Sequence, residues 1–500
     1  MQSSHRLDKI RQDFHINSKI AAAFGRIKKE IYPGGYYATN EYETYGYLKK
    51  VTDSKGSLIW EAQESNARGQ LTKTKSGNRE TIFGFDSRGL PTSILTSGII
   101  NQAYLFNSQG NLSSREDKLT GYKETFEYNS NRLSGWSTWK DGLVLDYKTI
   151  DYNSTTGNMN SKSGLSNMKY GENSKPPHAL TSFNTSSTDF NNSQAVQYTD
   201  FRKVKKITEW GDILNIYYGV DEQRIKSDWV RSTGGTQVKY YMGNYEEENN
   251  SGVIRKIHYI CGGNGLAAVY VQNGNNDTLY YAHTDYLGSL TALSLPNGTV
   301  VERYAYDPWG NRRNPGNWTQ ADTRTKFILD RGYTMHEHLT AFKLINMNGR
   351  VYDPVTAQFL STDPYIQAPG NWLNYNRYAY CLNNPFKYTD PSGELFYFFL
   401  IPYISFSNGS FSFGLTAGIG FGGFNLYTSV GYGNGSGFTA TVGASYGGGY
   451  AYAGYNSQAG FIAGAGYGLG GGGYGNLSFN SNINSLGVNY SSNGGFSNEK

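Results

Sequence analysis

The chain has 500 residues, 38% hydrophobic and 15% aromatic, with 43 Tyr and 62 Gly; burial must therefore lean on tyrosine edges and faces, which suit strands. A net charge of +5 with no basic block argues against nucleic acid as a partner. Two cysteines, Cys261 and Cys381, outside any Cys-x-x-Cys spacing, exclude a disulfide framework.

Residues 1–35 carry mixed charge and lack the apolar run of a secretory signal. Within them Ser18 to Ile27 reads as a short helix or as a strand pair, ending at Pro33-Gly-Gly. Repeat-like sequence begins soon afterwards with no opening cap, so this segment reads as the end of a missing upstream region.

From residue 36 to 240 the chain repeats itself. Phe85-Asp-Ser-Arg-Gly-Leu, Phe106-Asn-Ser-Gln-Gly-Asn-Leu, Tyr128-Asn-Ser-Asn-Arg-Leu and Tyr152-Asn-Ser-Thr-Thr-Gly-Asn-Met place an aromatic before a polar turn and an apolar residue after it. Their starts at 85, 106, 128 and 152 are 21, 22 and 24 residues apart, a period that fits two short strands and two turns. Such units bury nothing singly and gain stability by stacking. Lys175-Pro-Pro-His marks a longer loop, and the apolar runs around Lys256–Ile260 and Leu266–Val271 predict hairpins.

Residues 241–394 hold the densest phrases: His283-Thr-Asp-Tyr-Leu-Gly, Tyr306-Asp-Pro-Trp-Gly-Asn, Gly332-Tyr-Thr-Met-His-Glu-His, Arg350-Val-Tyr-Asp-Pro, Phe359-Leu-Ser-Thr-Asp-Pro and Asp390-Pro-Ser-Gly. Aromatic-Asp-Pro-x-Gly describes a strand that stops and turns: Asp accepts from amides ahead of it, Pro presets φ, and Gly lets the backbone leave in any direction.

In their order these phrases resemble the core that closes rearrangement-hot-spot (RHS) proteins, the family related to the C component of insecticidal toxin complexes and to the teneurins. The upstream units resemble that family's Tyr-Asp (YD) repeats, with Asn for Asp in three of the four spaced copies; Asn makes the same local bonds. The likeness covers residues 240–394 closely and reaches loosely back to about residue 40. It implies an all-β, antiparallel YD/RHS-repeat shell, secretion or surface display, and encapsulation of the chain's own C-terminal segment as cargo. It further implies a role in competition between cells or contact with a host, with an immunity protein, secretion machinery and a target-cell membrane as possible partners. No cofactor and no metal are implied.

The resemblance also assigns Asp363 and Asp390 to an aspartyl-protease-like pair that cuts the chain in the region of Gly393, Glu394 and Leu395. Two carboxylates held close do not both ionise, so one can act as acid while the other activates water. The sequence departs from the family in two places. Glu394 stands where Leu usually follows Gly directly, and the 27 positions between the two aspartates exceed the family spacing. The alternative is that both aspartates simply cap turns.

His336-Glu-His338 puts two imidazoles on one face of a strand, but third and fourth metal ligands are absent at any recognisable spacing, so it reads as a strand motif. His283-Thr-Asp285 lacks a serine-nucleophile context and reads as structure. Met335 replaces an expected Gly.

Residues 395–500 speak a different language. The run Leu395 to Phe406 is too short for a spanning helix, and from Leu395 to Asn498 there is no Asp, Glu, Lys, Arg, His or Cys. A segment without acid, base or thiol has almost no means of catalysis, so the tail is not expected to be an enzyme. Patches of apolar/small alternation leave four readings open: β-structured membrane insertion, packing on the shell, adhesive Gly/Tyr sheets, or disordered low-complexity chain. Delivery or presentation of this tail is the expected function. A non-catalytic surface or adhesive protein is the alternative from another class, and a membrane-active β-rich effector is a third.

Overall fold

A computed structural model describes residues 19–20, 27–43, 47–185, 194–274, 276–364, 366 and 372–393, and the strands of the tail between 401 and 491. The architecture is all-β. Among the described residues there is no α-helix, only four single-turn 3-10 segments. Every strand pairs antiparallel with its neighbour in sequence, giving sheets of 16, 11, 3, 4 and 8 strands.

One turn recurs through the wall and the closing segment. At Asp53, Asn66, Asp86, Asn107, Asp285 and Asp307 the side-chain oxygen accepts from the amides two and four residues ahead, at 2.7–3.1 Å. The residue four ahead closes the loop through its carbonyl, which accepts the first residue's N–H, and a glycine three ahead takes positive φ. Asn66 and Asn107 make the turn as Asp does, as their chemistry predicts. The copy at Tyr128 departs: Ser130 and Asn131 both take positive φ and make a two-residue hairpin without glycine.

The aromatic before the turn has its own task. Tyr128, Tyr152, Tyr218 and Tyr306 donate their hydroxyls to the carbonyls of Leu112, Leu133, Val204 and Leu290, at 2.7–2.9 Å, tying each unit to the previous one. At the N-terminal end, Lys19–Ile20 and Ile27–Ile31 are strands paired with each other, so the strand-pair reading of residues 18–27 holds at its described positions and the helix reading does not.

The chain divides into two compact units, residues 1–362 with 378–393, and residues 363–377 with 394–500. In the first, the closing segment packs against both large sheets. Trp309, Ala357 and Phe386 join Ile94, Leu112, Leu133 and Met159 of the 16-stranded sheet. Tyr306, Tyr333, Tyr352 and Tyr380 join Ile257, Val269 and Leu293 of the 11-stranded sheet. The two sheets also meet directly through Val51, Ile59 and Trp60 against Tyr245, Ile260 and Ala268. Trp60 lies on the backbone of Gly262 and Gly263, where an added Cβ would come within 2.4 and 2.6 Å of the indole.

Asp285 yields a stability prediction. Burial pushes its carboxyl up to about 6, although Ser289 and Leu287 amides and Arg115 pull the other way. A carboxyl raised in the folded state contributes stability below its unfolded value near 3.9, and that contribution is lost as pH rises to about 6. Asn makes the same turn elsewhere, so Asp285→Asn is expected to stabilise the fold by up to about 3 kcal/mol at pH 8 and hardly at all at pH 4. Urea midpoints at the two pH values check it.

Candidate functional site

The site begins with a tight turn. Met347 N–H donates to the Arg350 carbonyl at 2.9 Å, with Asn348 at φ +68 and its amide held by the Asn346 side chain at 2.9 Å. Gly349 N–H donates to the Ser392 carbonyl at 2.8 Å, so the turn grips the final Asp-Pro-Ser-Gly phrase. Gly393 fits because it has no Cβ: one placed there would lie 2.2 Å from the Met347 carbonyl oxygen, and its φ of +74 favours glycine in any case.

Arg350 is the centre of this arrangement. Its Nη2 donates to Asp390 Oδ2 at 3.0 Å, with both side chains at least nineteen-twentieths buried, at 4% and 3% exposure. Its Nε donates to the carbonyl oxygen of Gly393, and the guanidinium lies 3.6 Å over the Phe359 ring. One planar fork thus joins a buried carboxylate to the acyl oxygen of the bond that leads to Glu394. A donor fixed on a carbonyl oxygen polarises the bond and would hold the charge that develops there under attack.

His336 holds the other side of Asp390, its Nε2 lying 2.8 Å from the Asp390 carbonyl oxygen. Burial depresses the imidazole to about 4, so the ring is neutral and donates. Cys381, also buried, has its thiol pushed up by burial and by the Asp390 charge, which makes it inert.

Asp363 lies in the other compact unit. It is buried, its N–H donates to the Arg377 carbonyl at 2.9 Å, and Arg377 Nε donates back to the Asp363 carbonyl at 2.5 Å. Glu394 and Leu395 lie outside the described residues.

The other histidines have structural partners. His338 Nε2 accepts the Tyr333 N–H at 3.1 Å, so His336 and His338 are engaged separately with backbone, and no group of three His, Cys, Asp or Glu able to hold a metal occurs among the described residues. His283 Nε2 lies 2.9 Å from Ser294 Oγ, a serine partner in the neighbouring strand, but both are buried in the sheet. Met335 has φ +63 and Thr334 φ +43, so Met335 occupies a left-handed position of the kind that favours glycine.

Two buried ionic centres clamp the closing segment. Glu337 receives Arg224 and Lys239, the latter at 2.8 Å, and Lys239 also reaches Asp330 and Glu248 at 2.7 and 2.9 Å. On the 16-stranded sheet, Glu124 receives Arg115 at 2.7 Å and Arg313 at 2.5 Å. Arg350 and these clamps were not singled out from sequence. Arg350 stood inside a quoted phrase, but the carbonyl it reaches is 43 residues away.

Two antiparallel sheets of YD-type repeats, with a segment of Asp-Pro turns packed against both, have the fold of an RHS-type shell. Comparison with known proteins places the chain beside the same class. A stretch of 151 residues is 31% identical to the tRNA3(Ser)-specific nuclease WapA of Bacillus spizizenii, covering 30% of this chain and 6% of that protein. Another of 116 residues is 34% identical to the tRNA nuclease WapA of Bacillus subtilis, covering 23% and 5%. The chain therefore spans less than a tenth of the length of these relatives. Among solved structures, the TcdB2–TccC3 crystal structure superimposes with a TM-score of 0.56 at 17% identity, over 74% of this chain and 22% of that one. At that identity the likeness is one of fold. No family model matches. The RHS resemblance and the all-β shell read from sequence both hold.

Proposed function

We propose that this chain is an RHS-type polymorphic toxin or surface protein that presents its C-terminal segment, 395–500, and frees it, together with Glu394, by cutting itself after Gly393. In this reading, residues 36–240 are shell wall and 241–394 the closing core, preceded by residues 1–35. Secretion or surface display and an immunity protein follow from the same class, as does a multi-component toxin system of the kind the TcdB2–TccC3 assembly represents.

The observation that carries the proposal is Arg350 bridging Asp390 and the Gly393 carbonyl. A carboxylate takes a proton from water, and the hydroxide oxygen bonds to the Gly393 carbonyl carbon while Arg350 holds the oxyanion. The C–N bond to Glu394 then breaks, and its nitrogen leaves with a proton from the second carboxyl group. The RHS resemblance supplies Asp390 and Asp363 as the two carboxyl groups.

The intact mass of the chain after folding at neutral pH tests this. A loss matching residues 394–500 is expected. A stable mass of all 500 residues would reduce Asp363 and Asp390 to turn residues and favour the non-catalytic surface protein.

A further inference from the structure

The tail forms a single meander of eight strands, from Ile401–Ser407 to Ser485–Ser491, each paired with the next. Its register sorts the sequence into two faces. Counting across the strands, one row reads Phe421, Phe424, Tyr446, Gly449, Tyr467, Gly475, Tyr490. Two residues inward it reads Ile419, Leu426, Ala444, Ala451, Ala465, Leu477, Val488, and then Ala417, Thr428, Val442, Ala453, Ala463, Phe479, Leu486. Next come Leu415, Val430, Ala440, Tyr455 and Phe461, and last Phe413, Tyr432 and Phe438. The opposite face carries chiefly Gly, Ser, Thr and Asn with scattered Tyr, as in Ser412, Gly414, Thr416, Ser429, Gly431, Thr439, Thr441 and Gly443.

Aromatic residues thus concentrate toward both ends of one face, in the first row and in the last two, with Phe479 the one aromatic in the two largely aliphatic rows between. That face is open: Val442 is 64% exposed, Phe461 72% and Tyr455 49%, with the Tyr455 and Phe461 rings edge to face across their strands. A soluble partner would need an apolar face, but it would not require the aromatics to be segregated into rows at the two ends. A bilayer does, because aromatic rings settle at its two interfaces and aliphatic side chains in between.

We propose that the tail inserts into the hydrocarbon core of a lipid bilayer as a β-sheet, its Val442 face toward lipid. Five rows span about 27 Å along the strands at ~3.4 Å per residue, or about 20 Å along the membrane normal at ~40° tilt, before the aromatic rows settle into the interfaces. Nothing ionised has to be desolvated between Leu395 and Asn498. The outer strands, Ile401–Ser407 and Ser485–Ser491, pair with no further strand among the described residues. Lipid cannot satisfy their backbone groups, so insertion closes one edge on the other, and eight strands leave an interior just wide enough for the small residues of the opposite face. This inference is independent of the cut at Gly393.

The test uses the full chain with Cys261→Ser, which leaves only buried Cys381, and single cysteines at V442C, A453C, T441C and S429C carrying an environment-sensitive fluorophore. Mixed with phosphatidylcholine vesicles, the protein is expected to float with the lipid. Labels at 442 and 453 should be quenched by nitroxide lipids at least about twofold more than those at 441 and 429, with iodide giving the reverse order. Val442→Arg should lower the floated fraction at least about tenfold. The mass of the floated species says whether cutting has occurred, and insertion counts in either case. Protein that stays out of the lipid, fibres or oligomers of the chain alone, or four labels that respond alike would overturn the proposal.

Discussion

Asp390→Asn is expected to leave the chain uncut at 500 residues, where the proposed cut would free the parent's tail. Asn at this position can still accept from Arg350 Nη2, so the geometry of the turn is largely kept while the acid–base function goes; the rate should fall at least about 1000-fold. Asp363→Asn is expected to do the same, since either carboxyl group alone lacks its complement. Arg350 separates the proposed chemistry from mere turn structure. Lys at that position keeps the charge, but a single ammonium cannot occupy the planar fork between Asp390 Oδ2 and the Gly393 oxygen, and a loss of about 100-fold follows from a missing oxyanion donor. Near-UV circular dichroism on each variant distinguishes a slow but folded chain from one that failed to fold. Cutting at the parental rate by folded Asp390→Asn would remove the aspartate mechanism altogether.

The wall was legible because its turn is local. An Asp or Asn, a Gly three residues on and an aromatic before it are all the information that the turn at Asp86 or Asn107 uses. The copy at Tyr128 fits the period but not the geometry, since Ser130-Asn131 makes a different turn. What sequence could not supply was long-range pairing. Arg224 meets Glu337 across 113 residues and Arg313 meets Glu124 across 189, and neither has any spacing that marks it. Asp390 was named from sequence as one of a carboxylate pair, with a turn cap as the alternative, but its guanidinium partner came only with the fold. The tail presents a third case. Its alternation looks patchy along the chain because Gly interrupts the apolar face, and it becomes continuous only once neighbouring strands are placed in register, where the aromatics fall into rows.

Glu337→Ala is expected to cost about 3–5 kcal/mol, the usual result of removing one partner from a buried ion pair. Arg224 would lose its carboxylate inside the protein, while Lys239 would keep Glu248 and Asp330. Tyr241 also donates to Glu337, at 3.1 and 3.2 Å, so the mutation leaves its hydroxyl with Ser227 Oγ, 2.9 Å away, as its remaining partner. Urea unfolding at pH 7 measures the loss, and a change under 1 kcal/mol would mean that the clamp is not what holds the closing segment to the 11-stranded sheet. Acid gives a second reading. Burial favours the neutral form of Glu337, but Arg224 and Lys239 outweigh it and hold the carboxyl well below the usual range. A carboxyl lowered in this way lends stability that is complete above its unfolded value near 4.3 and is lost as pH falls below that. Glu248, raised by burial despite Lys239, works in the opposite sense and softens the slope. Arg331 and Glu246 face each other beside them at 2.5 Å, and Arg331 adds to the positive field on Glu337. The parent should therefore lose stability between pH 5 and 3 more steeply than Glu337→Gln, which has no proton to take up at that position, and the two urea midpoints should converge as the pH falls.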